Sequence, residues 1–106
     1  MAKLTVAKDS YVIARCRRAG VHAGVLKSID AATKVAVLTD ARRIWEWKSL
    51  GGVALSGVAK HGLDVYASRV DSQVDEVWLA DVCEMVPCTP TAKKTIVDAP
   101  DPKAAS

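Results

Sequence analysis

The stretch that most constrains the fold of this chain runs from residue 35 to residue 48. Its first part, Val35-Ala36-Val37-Leu38, is apolar at odd and even positions alike, which is typical of a strand covered on both faces. The part after Asp40-Ala41 alternates instead, and we expect the strand to continue there past a kink. The side chains after the kink would then alternate between the two faces of the strand. One face would carry Arg43, Trp45 and Trp47, and the other would carry Arg42, Ile44 and Glu46.

The flanking sequence predicts further strands and one helix. Runs rich in β-formers predict strands at residues 11–17, 21–28 and 34–39, and one or two more over 74–80 and 82–86, with a break at Asp81. Gly24 inside the second run predicts a bend or a close backbone approach. Helical spacing of apolar residues predicts a short helix between Ser49 as its N-cap and Gly62 as its stop. Residues 63–70 are expected to be a loop or a short strand around residues 65–67.

These elements predict an α+β, mainly β fold. We expect a small, strongly twisted sheet or a partly open barrel of about five strands, similar in pattern to SH3-like and Sm-like barrels. One short helix follows the third strand, and residues 91–99 can form a second. The 106 residues are enough for one domain, which we place at residues 11–90. Residues 1–10 are expected to be flexible and residues 100–106 disordered.

Composition narrows the function classes. The chain has no Phe, so its interior must be built mainly from Val, Ala, Leu and Ile, and we expect self-association into a homo-oligomer to bury further surface. The net charge of +3 is compatible with an anionic ligand. It falls short of the dense basic field of a dedicated nucleic-acid binder.

The cysteines and the apolar runs indicate a cytosolic protein without a metal. Cys16, Cys83 and Cys88 form no C-x-x-C pair, and the two histidines add no zinc-binding spacing. We therefore expect free thiols in a reducing compartment and no cofactor. No apolar run approaches the ~18 residues of a membrane span, and the first residues do not resemble a signal peptide.

The leading candidate binding site consists of Arg42, Arg43, Trp45 and Trp47. Guanidinium groups pair with phosphate in a planar fork, and indoles stack on nucleotide bases. Two alternatives stay open, because tryptophans also serve as core residues and as anchors of subunit interfaces.

A second candidate site consists of His22 with Arg17 and Arg18, which cluster around one predicted turn. A neutral imidazole can bind a ribose or a base, and an imidazolium can meet a phosphate. The alternative is a solvated hairpin tip. Trp78 is expected in the core or at an interface. No nucleophile–base pair is distinctive, so we expect a protein that is not an enzyme.

Three segments carry a resemblance to a known family. They are Ala19-Gly20-Val21-His22 with the residues up to Leu26, residues 38–47 around Asp-Ala-Arg-Arg-Ile-Trp-x-Trp, and residues 74–79 followed by Val86-Pro87-Cys88-Thr89. The chain resembles a family of small tailed-phage proteins of unknown function over about residues 11–90. The resemblance implies a bacteriophage protein that acts in the host bacterial cytoplasm, and it implies no activity.

Small phage proteins often act against bacterial immunity. The Thoeris anti-defence and anti-CBASS families include oligomeric sponges that sequester cyclic nucleotide or ADP-ribose signals, and this chain is associated with them through its origin and size. We therefore expect a non-catalytic sponge for a cyclic oligonucleotide or a cyclic ADP-ribose type signal. The alternatives are a protein–protein interaction module that inhibits a host enzyme, and an Sm-like binder of RNA or single-stranded DNA.

Overall fold

The computed structural model describes residues 7–101. In this range the elements are β1 Tyr11–Cys16, β2 Gly20–Asp30, β3 Val35–Glu46, α1 Leu55–His61, β4 Arg69–Val70, β5 Val74–Leu79, β6 Val82–Pro87 and α2 Pro90–Val97. The strands form one antiparallel sheet in the order β4-β3-β2-β1-β6, with β5 also paired to β3. The sheet does not close, and the predicted α+β, mainly β fold is confirmed.

Strand β1, which lies between β2 and β6, separates two apolar cores. Tyr11 and Ile13 face one core, which packs against both helices through residues such as Val58 and Ile96. Val12 and Ala14 face the other core, which β3, β5 and β6 enclose. Because neighbouring residues of a strand point to opposite faces, β1 is covered on both sides and anchors the whole sheet.

Strand β3 carries a bulge at the position where the sequence predicts a kink. Ala23 of β2 pairs with Arg42, and Val25 pairs with Thr39, so β3 has one residue more than its partner between these pairs. Asp40 adopts a left-handed backbone with φ of 49° at this point. The extra residue reverses the alternation of faces along the rest of β3.

Gly24 lies opposite this bulge. A Cβ atom on Gly24 would stand 2.9 Å from the carbonyl oxygen of Thr39 and 3.1 Å from Cα of Ala41. No side chain fits at that distance, because the two backbones approach too closely. The close approach predicted from Gly24 is therefore confirmed.

The helix α1 begins later than the sequence predicts. Ser49 is not its N-cap, because the Ser49 hydroxyl bonds locally to the backbone of Gly51 and the helix begins at Leu55. The end of the helix is confirmed, since Gly62 follows it with φ of 107°. Of the two alternatives predicted for residues 63–70, the loop is confirmed at residues 65–67, and a strand of two residues follows at Arg69–Val70.

The second helix predicted at residues 91–99 is present as α2, Pro90–Val97. Thr89 caps α2 by accepting a hydrogen bond from the N–H of Ala92, and Pro90 occupies the first turn, where its missing N–H costs nothing. Near the amino terminus, Asp9 donates its N–H to the carbonyl of Leu26. The flexibility predicted for residues 1–6 and 102–106 concerns positions outside the described residues.

Candidate functional site

Arg42, a predicted ligand-binding residue, points into the protein. Its side chain is only 3% exposed. Nε donates to the carbonyl of Asp71 at 2.7 Å, and Nη1 donates to the carbonyls of Ile96 and Ala99 at 2.9 and 2.6 Å. Nη2 reaches the carboxylate of Asp101 at 3.2 Å.

These contacts make Arg42 a cap for the end of α2. The last carbonyls of a helix lack partners within the helix and carry partial negative charge, so a buried cation there stabilises the helix and compensates its own desolvation. Each of the three guanidinium nitrogens thus donates a hydrogen bond within the fold. We leave Arg42 out of the candidate site for this reason.

Arg43 and Trp45 lie on the opposite face of β3 and stack on each other. The guanidinium carbon of Arg43 is 4.0 Å from the centroid of the Trp45 ring, within the range of a cation–π contact. Trp45 is 59% exposed, a large value for an indole. The structure thus places these two predicted residues together on one accessible surface.

Asp71 fixes this pair in place. Its carboxylate Oδ2 accepts a hydrogen bond of 2.8 Å from the indole Nε1 of Trp45. Its backbone N–H donates to the carbonyl of Arg43 at 2.8 Å, and its own carbonyl accepts from Arg42. Three bonds therefore hold Asp71 against both faces of β3.

Sequence reasoning missed Asp71. The residue follows β4, a strand of two residues that is too short to give a periodic signal. Only the pairing of β4 with the end of β3 brings Asp71 beside Trp45. No local pattern distinguishes it from other carboxylates in turns.

Two clefts flank the Arg43–Trp45 pair. The first, which we call the tryptophan cleft, has a volume of about 350 Å³ and is lined by Trp45, Glu46, Arg69, Val70 and Asp71. The second, the arginine cleft, has a volume of about 340 Å³ and is lined by His22, Ala41, Arg43, Asp71, Ser72, Val74 and Val77. Each lies at the lower end of the size range of ligand sites. Asp71 belongs to both, so the stacked pair and Asp71 form the wall between them.

The two predicted clusters are neighbours across the sheet. His22 of β2 pairs directly with Arg43 of β3. A Cβ atom on Gly20 would stand 3.2 Å from Nη2 of Arg43, so this guanidinium lies against the turn between β1 and β2. Arg17 and Arg18 are exposed in the same turn. The structure thus brings His22 and Arg43 together in the arginine cleft, whereas Arg17 and Arg18 line neither cleft.

His22 is a neutral, structural member of this group. Its ring is 8% exposed, and Nε2 donates to the carbonyl of Ala19 at 2.8 Å, which holds the turn. Burial lowers the pKa of His22, and the nearby charge of Arg43 lowers it further. The hydrogen bond to Ala19 opposes part of this lowering, and the lowered pKa favours the neutral imidazole, the form that can bind a ribose or a base.

The other two tryptophans differ from Trp45. Trp47 follows the end of β3 and packs, half-buried, against the core beside the helices. Trp78 is 71% exposed on β5, so its expected place in the core is wrong for the single chain. A role for Trp78 at an interface stays a prediction.

Other chemistries find little support in the described range. Within residues 7–101, no three His, Cys, Asp or Glu side chains converge to form a metal site. The three cysteines are not disulfide-bonded, and burial raises the pKa of Cys88 to about 12, which makes it a poor nucleophile at neutral pH. Neither helix of this range has the length and apolar character needed to cross a membrane.

Comparison with known proteins gives one finding. Residues 9–96 match the family model described as a domain of unknown function, DUF6948. The chain belongs to this family. No curated protein and no solved structure matches it.

The DUF6948 region contains the whole candidate site. The stacked pair, Asp71 and both clefts lie within residues 9–96. Ala99 and Asp101, two of the partners of Arg42, lie after the matched region. The surface described above is therefore part of the family's domain, whereas the cap on α2 draws partly on residues beyond it.

Proposed function

We propose that this DUF6948 protein is a non-catalytic binding protein for a small phosphate-bearing nucleotide. The observation that carries the proposal is an exposed indole, stacked on a guanidinium and set between two clefts. The face of Trp45 opposite Arg43 can take a base, and Arg43 can pair with a phosphate in the arginine cleft. A stacked base is worth about 1–3 kcal/mol and a charge-assisted hydrogen bond about 1.5–3 kcal/mol.

We further propose that the ligand is a bacterial immune signal of the cyclic oligonucleotide or cyclic ADP-ribose type. A bacteriophage protein in the host bacterial cytoplasm would sequester this signal as an anti-defence sponge. The support is the resemblance to small tailed-phage proteins together with the exposed indole that stacks on the guanidinium of Arg43. A homo-oligomer suits this role, and the exposed indole of Trp78 offers it a contact.

Calorimetric titration with a ligand panel tests the proposal. The panel contains cyclic dinucleotides, cyclic trinucleotides, cyclic ADP-ribose isomers and adenosine 5′-monophosphate. We expect binding of at least one, and a loss of about 10- to 100-fold in affinity for Trp45→Ala, the equivalent of one stacked base. Tyr66→Ala is the matched control, because Tyr66 is also an exposed aromatic residue but lines neither cleft, and it should leave the affinity unchanged. Absence of binding to every nucleotide would exclude the proposal.

The fate of the ligand separates a sponge from an enzyme. We expect the bound nucleotide to be recovered intact when the protein is denatured, with one mass before and after incubation. Turnover of the nucleotide would contradict the non-catalytic role. A single-stranded oligonucleotide belongs in the same titration, because nucleic-acid binding would show affinity that falls steeply with salt.

A protein-binding role is the second candidate, and a separate groove favours it. This groove of about 410 Å³ lies between α2 and residues 63–66, and its lining includes Leu50, Leu63 and Tyr66. Tyr66 is 99% exposed and Leu50 is 58% exposed, which is typical of an anchor for a partner. A stoichiometric host protein captured by the wild type and lost in Tyr66→Ser, with no nucleotide bound, would favour this role.

A further inference from the structure

Of the two carboxylate oxygens of Asp71, one already accepts a hydrogen bond within the protein and the other can accept one from a ligand. Oδ2 accepts the hydrogen bond from Trp45, while Oδ1 has no hydrogen-bond partner within residues 7–101. Its backbone bonds to Arg42 and Arg43 prevent the residue from swinging away. A rigid acceptor therefore stands at the boundary between the tryptophan cleft and the arginine cleft.

The order of groups along this wall matches the order of groups in a nucleotide. Trp45 lines the tryptophan cleft, Asp71 lines both clefts, and Arg43 lines the arginine cleft. A nucleotide has its base, its sugar and its phosphate in the same sequence. With the base on Trp45 and the phosphate on Arg43, the sugar comes to lie at Asp71.

Only certain ligand groups can bond to this oxygen. An ionised carboxylate accepts hydrogen bonds and repels phosphate, so its partner must be a hydroxyl or an N–H. The indole N–H lies in the plane of its ring, which places the carboxylate near that plane, at the ring edge. A base stacked on Trp45 lies about 3.5–4 Å above the plane, and its N–H groups point along the base instead of down to Asp71. The sugar hydroxyls leave the base plane and can reach the carboxylate.

We propose that Asp71 recognises a ribose hydroxyl, so that the site selects ribonucleotides over their deoxy analogues. The proposal rests on the proposed function, because it requires a nucleotide on the Arg43–Trp45 pair. A buried or rigid acceptor left unpaired by a ligand without that hydroxyl weakens binding strongly. Asp71 is thus a specificity-determining residue, and Trp45 positions its carboxylate.

The test compares two mononucleotides that differ only in the hydroxyls. Adenosine 5′-monophosphate and 2′,3′-dideoxyadenosine 5′-monophosphate are titrated into the full chain, with the indole N–H signal of Trp45 followed by ¹H–¹⁵N correlation spectroscopy. The wild type should bind the ribose form at least 10-fold more tightly. Asp71→Asn keeps an oxygen acceptor for Trp45 but turns the free acceptor into a donor, and Asp71→Ala removes both. Asp71→Ala should bring the ratio to within about twofold, mainly by weakening the ribose form, whereas Asp71→Asn should lower the ratio less, because a hydroxyl can also accept a hydrogen bond from the amide.

Glu76→Gln is the control, because Glu76 is a carboxylate that pairs with Lys27 at 3.1 Å and lines neither cleft. It should keep the preference of the wild type. Equal binding of both mononucleotides to the wild type, failure of the ribose form to bind, or a preference that survives in Asp71→Ala would overturn the inference. If the inference fails but another nucleotide of the panel binds, the proposed function stands. If no nucleotide binds, the inference and the proposed function are both excluded.

Discussion

Arg42 and Arg43 are neighbours in the chain with opposite environments. The guanidinium of Arg42 is buried against the last carbonyls of α2, whereas that of Arg43 lies on an accessible surface against Trp45. One arginine therefore serves the fold, and the other is available to a ligand. Residue type alone could not have separated them, because both carry the same charge and the same donors.

The difference originates in the bulge of β3. Ala36 and Leu38, before the bulge, face the core that β5 and β6 enclose. Without the extra residue at Asp40, regular alternation would turn Arg42 and Ile44 to that same side. Because of the bulge, Ile44 instead faces the core that packs against the two helices, and Arg43 lies on the opposite, accessible face of β3. A single left-handed residue thus assigns the two roles.

The largest expected effect comes from removing the buried arginine. Arg42→Met should lower the free energy of unfolding by about 3 kcal/mol, because several helix-end carbonyls would lose their donor inside the protein. Urea denaturation measures this change. Arg43→Met is the control and should cost no more than about 1 kcal/mol, the value of an exposed cation–π contact. Equal costs for the two variants would contradict the contrast between them.

An intermediate effect is expected from the residue that forms the bulge. Asp40→Val should destabilise the fold by about 1–2 kcal/mol, because a β-branched residue resists the positive φ of 49° at this position. Asp40→Gly should be tolerated without loss, since glycine adopts this backbone freely. Thermal unfolding of the two variants, side by side, gives the measurement. A valine variant as stable as the glycine variant would show that the bulge does not require this backbone.

The smallest expected effect is the pH dependence of the free energy of unfolding that comes from His22, which lies beside Arg43. The pKa of folded His22 is lowered from its ordinary value of 6.5, so the unfolded chain takes up this proton first as the pH falls. The stability contributed by His22 is complete above that value and is lost as the pH falls below it. His22→Gln keeps a donor for Ala19 but does not titrate. It should lose less stability than the wild type between pH 7 and pH 5 in urea denaturation, and identical losses would argue against the assignment.

The sequence predicts one face of the candidate site well. The turn-forming Asp40-Ala41 within a β pattern indicates the kink, and the alternation after it places Arg43 and Trp45 together, as the structure confirms. Local spacing is sufficient here because both residues lie on one strand. Gly24 and Gly62 are also informative, since each occupies a backbone position that other residues resist.

The remainder of the site depends on contacts that leave no local signal. The partners of Arg42 are mostly backbone carbonyls 29 to 57 residues away, and any residue type supplies a carbonyl. Asp71 reaches Trp45 only through a strand of two residues. Trp47 leaves the surface because β3 ends at Glu46, and strand ends are poorly determined by residue pattern.

Because Arg42 caps α2, the stability of the fold depends on the residues that follow this helix, Ala99 and Asp101. The carbonyl of Ala99 and the carboxylate of Asp101 accept hydrogen bonds from the guanidinium of Arg42 on β3. Cleavage after Val97 would therefore remove two acceptors from this buried cation. A carboxypeptidase that trims to this point would loosen the helix and expose the interior behind it. Affinity tags and fluorescent fusions therefore belong well beyond Asp101, separated by a flexible spacer.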